Sequence, residues 1–289
     1  VCIVSTDPGS DRPLQGNLSR FVAEHRTDLA SFWSFTHHLN RLYAQLHGYR
    51  FRRPQLDDKV VQDWLADDGL SPARRIQWSI VKVVMRELED PSCQYVVWLD
   101  SDAYIASSEP LEVVLSAHGL LNTTSSPSQR HFLFAAAAAH QRVGGQQWPK
   151  LNISDHFMIV RNTPIARHLM RLWWDFPVSR PSLFRFREEL FLEQTVMNEF
   201  FPKKHSRFMA PVPPLQLYEG FSGRFVRHFG GIKDQAFQLL LRDALLDRLL
   251  VPLRHPKSPW AAVVSEDPVA SKLLRLAKAK RWHLRPAGE

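Results

Sequence analysis

Apolar and polar residues follow two rhythms along this chain. Val1-Cys2-Ile3-Val4-Ser5-Thr6 is a short apolar run that stops at Asp7-Pro8-Gly9, which predicts a strand and then a turn. From residue 29 to 47 the period lengthens. Leu29, Phe32, Trp33, Leu39, Leu42, Tyr43 and Leu46 share one broad face of a predicted helix. His47-Gly48-Tyr49 ends it, with Gly48 suited to the left-handed position past the last turn. Tyr49-Arg50-Phe51 is predicted as a second strand, and Val60–Leu65 as a short amphipathic piece in a polar stretch. Ser71-Pro72 pairs an N-cap serine with proline at the first helical position. Ile76, Ile80, Val83, Val84 and Leu88 then line one face until Asp90-Pro91 breaks the pattern. Tyr95-Val96-Val97-Trp98-Leu99 is an unbroken apolar run, which predicts a strand covered on both faces. Strand, helix, strand, helix, strand in the first hundred residues is a nucleotide-binding α/β pattern.

The remainder continues in kind. Helices are expected at 111–117, 164–175, 187–200, 235–250 and 268–281. Strands are expected at His131–Ala139, Asp155–Val160 and Leu215–Tyr218. His140–Lys150, with Gly144-Gly145, reads as a loop over a site. No repeat or linker divides the chain. One domain over 1–289 is expected: a nucleotide-binding half to 105, a second half over 106–235, to which the resemblance described below assigns acceptor and donor sugar, and a helical addition over 236–289.

Composition adds limits. The 289 residues are 44% hydrophobic and 23% charged, which is ordinary for a protein with a real core. The net charge of +8 suits a phosphorylated substrate or an anionic surface. No basic-aromatic array marks a nucleic-acid binder. Cys2 and Cys93 lack metal-ligand spacing, so buried free thiols are the plainer expectation, with a disulfide left open. No apolar run reaches the 18 residues a membrane span needs. Because the sequence starts at Val1, a leader, anchor or stem is expected outside it. Sequons at Asn17-Leu18-Ser19, Asn122-Thr123-Thr124 and Asn152-Ile153-Ser154 support a secretory-pathway lumen.

The chemistry begins where the central strand runs into Asp100-Ser101-Asp102. Two carboxylates at the end of a buried strand need a partner. A hard divalent cation suits their oxygens, and open α/β sheets bind ligands beyond the carboxyl ends of their strands. The reading is a metal that bridges a nucleotide diphosphate; the plain alternative is a strand-end turn whose acids face water. The small polar residues Thr6 and Asp7, after the first strand, are placed to contact the same nucleotide.

Four segments carry a family resemblance: Asn40-Arg41-Leu42-Tyr43-Ala44 with His47-Gly48-Tyr49, Trp98–Ala103 around the DxD triplet, Phe157–Asn162 after Leu151-Asn152, and Glu193-Gln194. On these the chain resembles a GT-A nucleotide-sugar glycosyltransferase, and more closely the galactosyl-, mannosyl- and xylosyltransferases of glycosyltransferase family 34. Two departures stand out. Ile153-Ser154-Asp155 replaces the small residues expected after Asn152. The late segment His228-Phe229-Gly230-Gly231-Ile232-Lys233 lacks the family's cysteine and is similar to an element of glycogenin-like transferases.

The resemblance implies an α/β GT-A fold with a mostly parallel central sheet. It implies Mn²⁺, with Mg²⁺ possible, on Asp100, Asp102 and His228. Ser101, Gly231 and Lys233 would serve the diphosphate, and Glu193 and Gln194 would lie beneath the sugar. Asp155 and His156, and more remotely His140-Gln141, would touch donor or acceptor; Glu188 and Glu189 read as a solvated face. The implied reaction is retaining transfer of a hexose or pentose from a UDP-sugar to a glycan or glycoconjugate hydroxyl. The implied setting is the Golgi lumen, in a type II membrane protein trimmed of its anchor. A nucleotide-sugar-binding module without catalysis and a metal-dependent phosphohydrolase are the alternatives.

Overall fold

The computed structural model describes residues 1–5, 32–54, 58–66, 73–121, 129–136, 153–179, 187, 192–210, 223–228, 255, 257–271 and 275. The chain gathers into two compact units, Val1–Ser10 with Arg50–His228, and Asp11–Tyr49 with Phe229–Glu289.

The first unit holds seven described strands: β1 (Cys2–Ser5), β2 (Arg50–Arg52), β3 (Tyr95–Leu99), β4 (Ala103–Ile105), β5 (Phe132–Ala136), β6 (Ile153–Arg161) and β7 (Val226–His228). Five form one sheet in the order β2-β1-β3-β6-β5. β1 is parallel to both β2 and β3, while β6 runs antiparallel to β3 and β5. Only β6 opposes the common direction, so the sheet is mostly parallel, as expected. β3 is buried along its whole length, as its unbroken apolar sequence requires.

Alternate side chains divide the sheet into two faces. Val96, Trp98, Met158, Val160, Phe132 and Phe134 belong to one core with side chains from four helices. Numbering α1 (Phe32–Leu46) in the second unit first, these are α2 (Asp58–Leu65), α3 (Ser79–Glu87), α5 (Pro164–Asp175) and α6 (Leu192–Lys204); α4 (Leu111–Ala117) completes the first unit's helices. Thr163 caps α5 by accepting from the Ala166 N–H, with Pro164 in the first turn. Trp173 and Phe201 meet edge to face at 5.6 Å and tie α5 to α6.

Two local expectations change. Ser71-Pro72 lies outside the described residues, but the helix expected from there does not run through 73–75: Arg75 is extended and the first described helical turn is a 3₁₀ turn over Ile76–Trp78. The N–H groups that a helix would have enclosed bond elsewhere, Arg74 to the Leu65 carbonyl and Arg75 to that of Arg187. The thiol reading is overturned too. Cys2 and Cys93 form a disulfide with Cα atoms 5.5 Å apart. Cys2 pairs with Val96 across β1 and β3, so the turn before β3 brings Cys93 over it.

In the second unit, α1 (Phe32–Leu46) ends at Gly48 with φ +68°, as its sequence requires. Ahead of the last described helical turn lies α7 (Trp260–Glu266), and after it Asp267 caps the Ala270 N–H and binds His38 and Arg41 of α1. Tyr43 of α1 packs against Trp260 of α7. Among the described residues no helix is long and apolar enough to cross a membrane.

Candidate active site

The candidate site lies at the carboxyl end of β3, where open α/β sheets bind their ligands. Leu99 is the last paired residue of β3, opposite Phe157 of β6. One further bond, from the Asp100 N–H to the His156 carbonyl, continues the ladder before the chain turns. The Ala103 N–H bonds back to the Asp100 carbonyl and closes a tight turn around Ser101 and Asp102. Asp100 and Trp98 are two residues apart and so point the same way. The Trp98 indole uses this to donate to Asp100 Oδ1 at 2.9 Å.

β4 then leaves the turn and pairs antiparallel with β7, Ala103 facing His228 and Tyr104 facing Arg227. This small ladder carries His228 to the aspartates across more than a hundred residues of sequence. His228 Nε2 stands 3.3 Å from Asp102 Oδ1. Among the described residues, Asp100, Asp102 and His228 are the group whose potential ligand atoms all lie within 4.8 Å of one another. Burial works against the charge on Asp102, yet the hydrogen bond and charge of His228 outweigh it and hold the carboxyl below its usual range.

β6 enters the same edge from its amino end. Ser154, Asp155 and His156 are buried although they are polar. Their strand is irregular here: Phe134 of β5 faces Met158, but the next residue, Ala135, faces Ser154. Residues 155–157 are therefore looped out of the β5 ladder, the kind of bulge that re-aims side chains beside a site. His156 Nδ1 is 2.7 Å from Ser154 Oγ. Its ring lies flat against that of His228, with centroids 4.1 Å apart and planes 3° from parallel. Asp155 Oδ2 is buried with no hydrogen-bond partner among the described residues. Burial, with Glu193 and Asp100 nearby, pushes the Asp155 carboxyl well above its ordinary range.

α6 closes the group. Its second residue, Glu193, is buried, and burial raises its carboxyl from 4.5 to about 7. Backbone N–H bonds at Glu193 and Gln194 moderate that rise, while Asp100 adds to it. The Glu193 carbonyl accepts the Trp173 indole N–H at 3.1 Å. Gln194 is differently engaged, donating its amide to the Ile153 carbonyl at 3.2 Å. Asn198, one turn on, bonds both backbone groups of Ile153. Its Oδ1 accepts from Ile153 N at 2.7 Å and its Nδ2 donates to Ile153 O at 2.8 Å. Gln194 and Asn198 thus fasten α6 to the start of β6.

The site therefore brings together Asp100, Ser101, Asp102, Asp155, His156, Glu193 and His228. Thr6, Asp7, His140, Gln141, Glu188, Glu189, Gly231 and Lys233 lie outside the described residues, as do the strand expected at 215–218 and the helix expected at 235–250. Trp98, Ser154 and Asn198 were not singled out from sequence. The two-residue spacing of Trp98 from Asp100 and the four-residue spacing of Asn198 from Gln194 were the available signals.

The donor set fits a divalent ion. Two carboxylates and one imidazole at such close range are a donor set that could hold one such ion.

Residues 34–231 match the model of the galactosyl transferase GMA12/MNN10 family. No curated protein sequence matches the chain. Among solved structures, a glycosyltransferase involved in glycosylation of the major capsid of PBCV-1 is 15% identical, with a TM-score of 0.52 over 84% of this chain and 98% of that one. Mouse xyloside xylosyltransferase 1, in its apo form, is 12% identical, with a TM-score of 0.43 over 80% of this chain and 97% of that one. The galactosyltransferase LgtC, in complex with donor and acceptor sugar analogs, is 10% identical, with a TM-score of 0.41 over 85% and 95%.

Proposed function

The chain belongs to the galactosyl transferase GMA12/MNN10 family, a glycosyltransferase of GT-A fold, and from there we propose the reaction. A hexose or pentose moves from a nucleotide sugar, a UDP-sugar by preference, to a hydroxyl of a glycan or glycoconjugate. Transfer retains configuration and needs a divalent metal, Mn²⁺ rather than Mg²⁺. The observation that carries this is the convergence of Asp100, Asp102 and His228 at the end of β3.

In this reading Asp100, Asp102 and His228 hold the ion. When bound, it supplies Lewis-acid stabilisation of the charge growing on the departing nucleotide diphosphate. Trp98 fixes the Asp100 carboxyl before any ligand arrives. Asp155 Oδ2, buried and without a bond, is an acceptor suited to a sugar hydroxyl. Glu193, raised to about 7, can accept or donate a hydrogen bond near neutral pH. A carboxylate beside the sugar ring also stabilises positive charge at the anomeric carbon; retention belongs to the proposal on the family resemblance. The bond of Gln194 to Ile153 supports a role in holding β6. Ser101, Gly231 and Lys233 are assigned to the diphosphate, and Thr6 and Asp7 to the nucleotide, on their sequence context alone.

The setting proposed is the Golgi lumen or another part of the secretory pathway, with a membrane anchor outside this sequence. The Cys2–Cys93 disulfide supports an oxidising compartment, and so do the sequons. The test is release of nucleotide diphosphate from a panel of nucleotide sugars, with and without Mn²⁺. One donor should give Mn²⁺-dependent release, and Asp102→Asn should lower it by two orders of magnitude or more while melting stays cooperative, the size typical of lost charge stabilisation. Wild-type turnover by Asp102→Asn would overturn the assignment.

A further inference from the structure

We infer that His156 is a positioning residue for His228: its ring forms a rigid shelf that holds the His228 imidazole with Nε2 facing Asp102. The inference rests on the metal reading of the site proposed above, and adds a residue that does not itself belong to the ligand set.

His228 is the last residue of β7, a strand of three residues paired with a strand of three. Its side chain is 18% exposed. Backbone pairing fixes where its Cα sits but leaves rotation about χ1 and χ2 to be limited by neighbours. His156 supplies that limit. It is 1% exposed, it sits on β6 between β3 and β5, and its own ring is tied by Nδ1 to Ser154 Oγ at 2.7 Å. The two rings are 4.1 Å apart and 3° from parallel, so the His228 plane cannot turn without striking the fixed ring. In that plane Nε2 lies 3.3 Å from Asp102 Oδ1.

The bulge at residues 155–157 explains why β6 can present this ring. In an unbroken ladder with β5 the residues would alternate regularly; the register break lets Asp155 and His156 both serve the same edge. Groups that orient metal ligands without touching the metal are worth roughly 10–100-fold in affinity.

The test uses Mn²⁺ alone, without nucleotide. Binding is followed by loss of the free-ion EPR signal, and nitrogen ligation by the ¹⁴N coupling in pulsed EPR. His156→Ala should raise the Mn²⁺ Kd about tenfold. His156→Phe keeps a flat ring of similar size and should stay within about threefold of wild type with its ¹⁴N coupling intact, the smaller change expected where the orienting surface survives. His156→Leu fills the space without a flat face and should weaken binding as Ala does, which separates orientation from simple loss of packing should His156→Ala fail to fold. The double variant His156→Ala/His228→Ala should bind no more weakly than His228→Ala, because the shelf acts only through its partner.

If His156→Leu and His156→Ala bind like wild type while His228→Ala does not, the shelf is refuted and the metal site stands. If His228→Ala keeps the ¹⁴N coupling and His156→Phe loses it, His156 is the ligand and the inference is overturned. If neither Asp102→Asn nor His228→Ala alters Mn²⁺ binding, the metal reading itself falls, and this inference with it.

Discussion

Glu193→Gln should make the protein more stable than wild type at pH 8.5 and no more stable at pH 4.5. Burial, together with the charge of Asp100, raises the folded-state carboxyl from 4.5 to about 7. The sign follows directly. A raised pKa means that the folded state prefers the protonated acid, so the stability tied to the proton is complete below about 4.5 and is lost as pH climbs through 7. Above that range the wild type holds a desolvated carboxylate, whereas glutamine keeps a neutral amide that still accepts the backbone N–H bonds. A carboxyl moved from 4.5 to about 7 corresponds to ~3 kcal/mol. Asp155 also ionises more easily once that neighbour is neutral, which adds to the variant's advantage at high pH. A gap of about 3 kcal/mol at pH 8.5, closing by pH 4.5, is therefore expected. Urea unfolding in EDTA at half-unit pH steps measures it. Parallel pH profiles for the two proteins, or a wild type that gains on the variant as pH rises, would show that Glu193 is not buried as described.

Other consequences are quicker to check. The disulfide closes a separation of 91 residues, for which loop entropy gives about 4–5 kcal/mol, so Cys2→Ser/Cys93→Ser should melt several degrees lower and the denatured wild type should show no free thiol. Two titratable thiols in the purified protein would contradict the bond. Asn198→Ala removes both bonds to the Ile153 peptide and should destabilise by about 1–3 kcal/mol. Asn198→Ala should also weaken donor binding through the displaced start of β6, whereas a change in stability alone would separate α6 from the site.

How much of this could be read from the sequence depended on the range of the interactions. The unbroken run Tyr95–Leu99 specified a buried strand, and its two terminal acids marked the site, because both signals are local. Leu111–Ala117 and Pro164–Asp175 were legible to the residue from their local pattern. The start of the helix at Ile76 was not, since the N–H groups of Arg74 and Arg75 are taken by Leu65 and Arg187. The Cys2–Cys93 bond depends on β1 lying beside β3, a pairing that spacing alone cannot reveal. His228 was found only through the family resemblance. The cause of its placement, pairing of β4 with β7, joins two three-residue strands too short to show a period. The bulge in β6 was equally invisible, although the polar trio Ser154-Asp155-His156 inside an apolar strand was its trace.

The central claim is that Asp100, Asp102 and His228 together hold the ion that binds a nucleotide diphosphate. Its most direct test is a crystal structure with Mn²⁺ and UDP, with the ion located by anomalous scattering at the manganese edge. The account predicts one peak at the end of β3, within about 2.0–2.3 Å of a carboxylate oxygen from the aspartates and of His228 Nε2, with diphosphate oxygens in the remaining positions. A peak elsewhere, or a His228 ring turned away from the ion, would contradict it.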